Sequence, residues 1–264
     1  MKNFSLSIIL PTLNEEQNLK ILIPELINVL EKIDFEVIVV DDSSTDNTEN
    51  YVNLLNKDLG NVYLLKRTEE RSLPNSIFDG INAAKNKFIV WLDADGSMDS
   101  TSVKKLVDEI IVNEDKVFIG SRFVLGGGFK GKQKGEIFNT NSFFRSIWNS
   151  EDSILSIFLS LVFNKLLSRL LPINVKDLTS GFLIGKRDYF EKQMFEGFNY
   201  GEYFIFVVTT LYKKNIDIVE VPYFCKPRKF GVSKTSTNIF RLVSLTKPYL
   251  VTAMKCRKLL NDST

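Results

Sequence analysis

Phe88-Ile89-Val90-Trp91-Leu92-Asp93-Ala94-Asp95 is a short apolar run that ends on two carboxylates one residue apart. Charge at the end of a buried strand adds little stability, and two like charges held close repel. A hard divalent cation removes that repulsion and keeps coordination positions open for a diphosphate. The pair Asp93 and Asp95 therefore reads as a site for Mg²⁺ or Mn²⁺, with the small Ala94 letting both carboxylates approach one ion. Such chemistry belongs to a protein that handles an activated nucleotide. The 264 residues contain no histidine, which excludes Ser/His/Asp triads, His-ligated zinc and imidazole bases together. Catalysis must then run on carboxylates, cations, a metal or the substrate's own groups.

Other polar residues stand at comparable places. Leu10-Pro11-Thr12-Leu13-Asn14-Glu15 reads either as a strand end with a helix cap or as a floor for a nucleobase and ribose, with Glu15 placed for polar recognition. The segment from Asp41 to Asp46 holds more acids than a turn requires; Asp46 reads as a cap, and Asp41 as an acceptor for the N–H groups of a base. Gly120-Ser121-Arg122, followed by Gly126-Gly127-Gly128, is a solvent loop or a place where Arg122 neutralises phosphate while the glycines move over a ligand. Arg228, Lys229 and Lys234 are solvated surface or a second phosphate clamp.

These residues need elements to position them. Strand-like runs at 6–10, 35–40, 62–65, 88–92 and 117–119 alternate with helical periods at 15–31, 46–57, 74–85 and 102–113. Pro11 reads as the stop of the first strand and Asn14 as the cap of the first helix. The alternation predicts an α/β fold with a parallel sheet covered on both faces, whose ligands bind at the carboxyl ends of the strands. The polar residues above fall at four such ends. Further on, a helical region at 143–171 is apolar on more than one side, which suits a core helix or one lying at headgroup depth. A strand at 216–221 and a helical pattern at 237–260, with Pro248 as a candidate kink, complete the chain.

Composition narrows the partners. The formal net charge of +2 argues against a general nucleic-acid binder. From Lys226 onward, nine Lys and Arg residues face only Asp262, so a cationic tail follows a neutral body. Cys225 and Cys256 lack a metal-site spacing and make no disulfide framework, which fits a reducing compartment. No signal peptide is visible, and the longest uncharged apolar stretch, near 153–164, falls short of the ~20 residues that span a bilayer. The expectation is a cytoplasmic protein, peripheral at the inner face of a membrane.

Taken in order, these pieces resemble family 2 glycosyltransferases of the GT-A fold, and most closely the dolichol-phosphate mannose synthase group, over roughly residues 5–236. Asp177-Leu178-Thr179-Ser180-Gly181-Phe182 and Val219-Glu220-Val221-Pro222 add to the likeness. The resemblance implies a GT-A catalytic domain at 1–236, with a mostly parallel sheet flanked by helices, followed by a basic amphipathic helical segment at 237–264 that associates with membrane. It implies inverting transfer of a hexose, mannose from GDP-mannose or another from a UDP-hexose, to a polyprenyl or dolichyl phosphate. The nucleotide-sugar contacts would be Pro11, Thr12, Leu13, Glu15, Asp41, Asp93, Ala94, Asp95, Arg122, Arg228 and Lys234. Metal would sit chiefly on Asp95 with Asp93 nearby, and the catalytic set would be Asp93, Asp95, Arg122 and Asp177, the last orienting sugar or acceptor. A lipid phosphate, with a second pKa near ~6, arrives anionic and needs no base. The chain departs from the group at Leu13, where an aromatic is common, at Ser72-Leu73-Pro74 in place of flanking glycines, and at Val232 in place of an acid. Residues 204–210 also lack a carboxylate that relatives often carry. Other readings are a UDP-glucose or UDP-N-acetylhexosamine donor, a saccharide acceptor, a nucleotidyltransferase, and a non-catalytic membrane-surface adaptor.

Overall fold

The computed structural model describes residues 4–129, 132–133, 153–226, 228, 230 and 239–262; Lys229, Val232 and Lys234 lie outside them. The chain opens with β1 (Ser5–Thr12), α1 (Glu16–Val29), β2 (Asp34–Asp41), α2 (Thr48–Leu59), β3 (Val62–Lys66) and α3 (Leu73–Ala83). It continues with β4 (Phe88–Trp91), α4 (Ser100–Val112), β5 (Val117–Ser121), β6 (Gly128–Phe129) and β7 (Lys132–Gln133). The second half holds α5 (Ser153–Leu170), β8 (Leu183–Lys186), α6 (Tyr203–Lys213), β9 (Ile218–Pro222), β10 (Phe224–Cys225) and α7 (Ile239–Asn261).

Seven strands form one sheet in the order β3-β2-β1-β4-β8-β5-β9, and β6, β7 and β10 make a small second one. Every neighbouring pair in the large sheet is parallel except those made by β8, which runs antiparallel to both β4 and β5. Successive strand residues point to opposite faces, so each strand feeds two cores. Leu6, Ile8 and Leu10 of β1 meet Leu19, Leu22 and Leu26 of α1 and Leu106 and Ile110 of α4 on one side. Ile9 and, from β2, Ile38 and Val40 pack on the other side with Ile77 and Ile81 of α3, Val208 of α6 and Cys256 of α7. Burial of that many aliphatic side chains, at ~1.5–3 kcal/mol each, is what holds the helices on the sheet and fixes its carboxyl edge in place.

The expected alternation is present, with local differences. β1 continues through Pro11, pairing Thr12 with Asp41, and so delivers its last residue directly to the rim. Asn14 does not cap α1: its backbone is left-handed at φ +58°, and its Oδ1 accepts from the Thr45 N–H at 2.6 Å. Asp46 joins two helices rather than capping one, accepting from Glu16 N–H at the start of α1 and from Thr48 N–H at the start of α2, both at 3.1 Å. β8, α6 and the small sheet were not legible as elements. Pro248 lies within α7 without ending it. The part of the long helical region at 143–152 falls outside the described residues.

Candidate active site

The carboxyl ends of β1, β2, β4, β5 and β9 converge on one edge of the sheet, carrying Thr12, Asp41, Asp93, Arg122 and the segment to Arg228. Asp93 and Asp95 follow β4 on a short loop whose Ala94 and Met98 are buried in the core, so the acids are held by packing below them. Asp95 is buried; its Oδ1 accepts from Ser97 N–H at 2.9 Å and its Oδ2 from Arg228 Nε at 2.7 Å. The Asp93 carboxylate accepts no hydrogen bond among the described residues. Burial, and then the charge of Asp95, push its pKa up to about 7. An acid made costly to ionise by burial and by a neighbouring carboxylate, both of which a cation would offset, is the signature expected of a metal-binding pair. Among the described residues no group of three or more His, Cys, Asp or Glu side chains could cage an ion. The donor set therefore fits Mg²⁺ or Mn²⁺ held by one or two carboxylates and completed by phosphate oxygens.

Arg228 reaches Asp95 from beyond β10 and lies 3.9 Å from Glu15 at the start of α1. Asn18 Nδ2 donates to Glu15 Oε2 at 2.6 Å and to the Phe230 carbonyl at 3.3 Å, tying α1 to the segment that carries Arg228. Glu15, Asp95 and Arg228 are thus brought together, as expected. Lys234 falls outside the described residues. Asp41 is buried at the end of β2 and accepts from Ser44 N–H at 3.2 Å, while the buried Thr12 hydroxyl donates to Leu10 O at 2.9 Å. Pro11 and Leu13 line the same edge, half-buried.

Arg122 is not a free phosphate clamp. Its Nε and Nη2 donate to the two oxygens of Asp177 at 2.8 and 2.7 Å, and its backbone N–H adds a third bond at 2.9 Å. Burial alone would depress its pKa, but Asp177 holds it far above the ordinary guanidinium value. Asp177 is itself fixed by Glu220 of β9, which accepts from the Asp177 and Lys176 N–H groups at 3.0 and 2.9 Å. Nη2 also donates to Thr179 Oγ1 at 3.0 Å, which in turn accepts from Asn164 of α5. The result is a cation pinned on one edge, with Asp177 as its positioning partner. Among the glycines at 126–128, Gly127 has a packing role. A Cβ on Gly127 would stand 2.6 Å from Ser121 O and 2.8 Å from Arg122 O, so the glycine allows the backbone to pack on the segment that carries Arg122.

Several residues were missed. Arg67, after β3, is buried and donates to Asp42, to Asp79 at 2.7 Å and to Ser76 at 3.3 Å; a strand-end arginine looks like solvated surface in a sequence. Asp99 caps α4 through Ser102 N–H at 2.8 Å and pairs with Lys226 at 2.7 Å; burial alone would raise its pKa, but these bonds hold it below the ordinary carboxylate value. Tyr223 is buried, and its hydroxyl has no partner among the described residues; burial raises its pKa well above the phenol range.

A mostly parallel sheet with paired acids on its carboxyl edge is the arrangement expected of the GT-A fold. The family model "Glycosyl transferase family 2" matches residues 7–194, and the chain belongs to that family. It is 36% identical over 121 residues to a dolichol-phosphate mannosyltransferase of Pyrococcus furiosus, covering 46% of this chain and 34% of that protein. It is 30% identical over 129 residues to the dolichol-phosphate mannosyltransferase of Mycosarcoma maydis, covering 46% and 43%. A poly(ribitol-phosphate) beta-glucosyltransferase of Bacillus spizizenii is 28% identical over 138 residues, 52% and 22% of the two chains. The matched part thus spans less than half of each of these relatives. Among solved structures, glucosyl-3-phosphoglycerate synthase of Mycobacterium tuberculosis with Mn²⁺, UDP and phosphoglyceric acid superposes with a TM-score of 0.65 at 15% identity, over 96% of this chain and 78% of that one. The same enzyme with Mg²⁺ and UDP gives 0.62, over 97% and 80%. At that identity the likeness is one of fold.

Proposed function

We propose that this chain transfers a hexose, mannose by preference, from a nucleotide-sugar donor to a polyprenyl or dolichyl phosphate with inversion at the anomeric carbon. The observation that carries the reading is Asp93, an acid with no hydrogen-bond donor among the described residues, set beside Asp95 on the rim of a chain that has no histidine. Asp41, Glu15, Pro11, Thr12 and Leu13 form the base and ribose side. Arg228 faces the diphosphate, with Lys234 assigned beside it from the sequence alone, and Arg122, steadied by Asp177, faces the transferred group or the acceptor phosphate. A divalent cation on Asp93 and Asp95, when bound, neutralises the diphosphate and eases its departure. The acceptor phosphate brings its own negative charge, so the residues need only place it in line. Glu202, the acid at the start of α6, is occupied by the N–H groups of Asn199 and Tyr200 at 2.9 and 3.1 Å, which suits a reaction without a general base. Two relatives named dolichol-phosphate mannosyltransferase support this choice of donor and acceptor.

A UDP-hexose donor is the second reading. The neighbours that hold UDP and the relative named as a beta-glucosyltransferase favour it, as does Leu13 where an aromatic is common. Peripheral attachment at the cytoplasmic face of a membrane is part of the proposal, with 237–264 as the contacting segment appended to a catalytic domain at 1–236. No helix among the described residues is long and apolar enough to cross a membrane. On α7, Val251 and Met254 are exposed on one stripe with Lys247 and Lys258, while Thr252, Ala253 and Cys256 are buried on the opposite one.

The test is a thermal-shift panel of GDP, UDP, GDP-mannose, UDP-glucose and UDP-N-acetylglucosamine with and without Mn²⁺, followed by transfer to a short polyprenyl phosphate. One nucleotide class should raise the melting temperature only with Mn²⁺. Asp95→Ala should lose that increment and turnover while keeping its far-UV spectrum; unchanged turnover refutes the metal assignment. Stabilisation by no donor at all refutes the transferase reading and leaves the adaptor.

A further inference from the structure

Asn164 is a buried amide that shares the inner side of α5 with Leu167. Its Nδ2 donates to the Ser160 carbonyl at 3.0 Å and to Thr179 Oγ1 at 2.8 Å. A carbonyl only accepts, so the nitrogen end of the amide must face this way. The Oδ1 atom is then buried with no partner among the described residues. An unpaired buried oxygen lowers stability, and an apolar residue on the same helix face would avoid that loss. What the amide supplies in return lies at Thr179. That hydroxyl oxygen accepts from Asn164 and, at 3.0 Å, from Arg122 Nη2, while its own hydrogen has Asp177 Oδ1 as acceptor at 3.4 Å. Asp177 grips the guanidinium along its Nε and Nη2 edge, and Thr179, held by Asn164, takes the other Nη2 hydrogen. The angle at which Arg122 stands is thus set partly from α5. Sheet order indicates which ligand group meets it. β2 and β1 end on Asp41 and Thr12, β4 leads to the paired acids, and β5, two strands further on, leads to Arg122. At ~4.8 Å per strand, β5 stands roughly 10 Å beyond β4, on the side away from Asp41. A nucleotide spanning Asp41 and the acids leaves Arg122 to the group that arrives from the opposite side, an anionic acceptor.

We propose that Asn164, acting through Thr179, is a positioning residue that sets Arg122 for the phosphate of the acceptor. The inference rests on the transferase reading and names what fixes the acceptor side of the same site. The test compares wild type with Asn164→Leu, Asn164→Ala, Thr179→Val and Thr179→Ser. Three quantities are measured on each: the melting temperature, nucleotide-sugar affinity by calorimetry with Mn²⁺, and steady-state transfer to a short polyprenyl phosphate. The two Asn164 variants remove the amide with and without leaving space, so at least one should melt within a few degrees of wild type. Both should bind the nucleotide sugar as wild type does and show an acceptor KM raised about tenfold, with the donor KM unmoved. Thr179→Val should repeat that split, and Thr179→Ser, which keeps the hydroxyl, should restore most of the acceptor affinity. An unchanged acceptor KM in the Asn164 variants and Thr179→Val overturns the inference. So does an equal loss of donor and acceptor affinity, because that reads a disturbed site rather than a misplaced cation. If wild type binds a nucleotide sugar but transfers nothing to the polyprenyl phosphate, the choice of acceptor falls and this inference with it. If wild type binds no nucleotide sugar at all, the transferase reading itself falls.

Discussion

Asp177→Asn keeps the volume of a fully buried side chain and removes its charge. The native carboxylate accepts three N–H groups of Arg122, at 2.9, 2.8 and 2.7 Å. In the variant one acceptor oxygen becomes an NH₂ group that faces a guanidinium donor, and the Arg122 cation stays in place with only 11% of its side chain exposed. An exposed ion pair contributes ~0.2–1 kcal/mol, whereas stripping one partner from a buried pair costs about 3–5 kcal/mol. Exposures of 0% and 11% put this pair in the second class, so a loss near ~4 kcal/mol is expected. Urea unfolding, followed by fluorescence of the buried Trp91, reads it: with a slope near ~3 kcal/mol/M the midpoint should fall by roughly 1–1.5 M. The double variant Asp177→Leu/Arg122→Met should recover most of that loss, because no charge is then stranded. A loss below about 1 kcal/mol, or a double variant no better than the single one, refutes the claim that Arg122 is a desolvated, pinned cation.

Asp93 holds a proton in the folded protein that the unfolded chain has already released, so its contribution to stability falls as pH rises from about 4 to about 7. Mn²⁺ competes with that proton, and its affinity, measured by titration between pH 5.5 and 8, should rise through about 7 with proton release; Asp93→Asn should flatten the profile. Gly127→Ala should lower the melting temperature by several degrees, since its Cβ meets backbone oxygen at 2.6 Å rather than a side chain that can swing away, and an unchanged midpoint would return 126–128 to the role of a mobile loop. Val251→Asp with Met254→Asp, both exposed, should weaken cosedimentation with anionic vesicles while leaving nucleotide binding intact; full retention on vesicles counts against α7 as the contact.

The first half of the chain was legible because its elements are local. Periods at Leu19, Leu22, Ile23 and Leu26, and β-branched runs such as Val37-Ile38-Val39-Val40, report helix and buried strand by themselves. Paired acids at a strand end were legible for the same reason. β8 was not, since Leu183-Ile184-Gly185-Lys186 is too short for alternation and its place between β4 and β5 is decided by two partners that both lie more than sixty residues earlier in the chain. The buried fates of Arg67, Asp42 and Asp177 depend on which loops meet, and no spacing in the sequence encodes that. Asn14 failed as a cap because its left-handed backbone turns its side chain toward Thr45 instead of along α1. Arg122 was found for its charge, yet what that charge touches came only from the tertiary pairing with Asp177.

The reversed strand β8 also sets which parts of the sheet depend on which. β5 has no sheet neighbour earlier in the chain: its ladders are made with β8 and β9 alone. Without the residues after 180, β1 to β4 keep their ladders, while β5, which leads into Arg122, keeps its packing on α4 but has no strand partner among the described residues. Residues 183–186 alone join the two halves of the large sheet, pairing with β4 on one side and β5 on the other, and so put Asp93 and Arg122 on a common edge. A chain cut before β8 would therefore carry the paired acids that follow β4 without the ladder that sets Arg122 on the same edge.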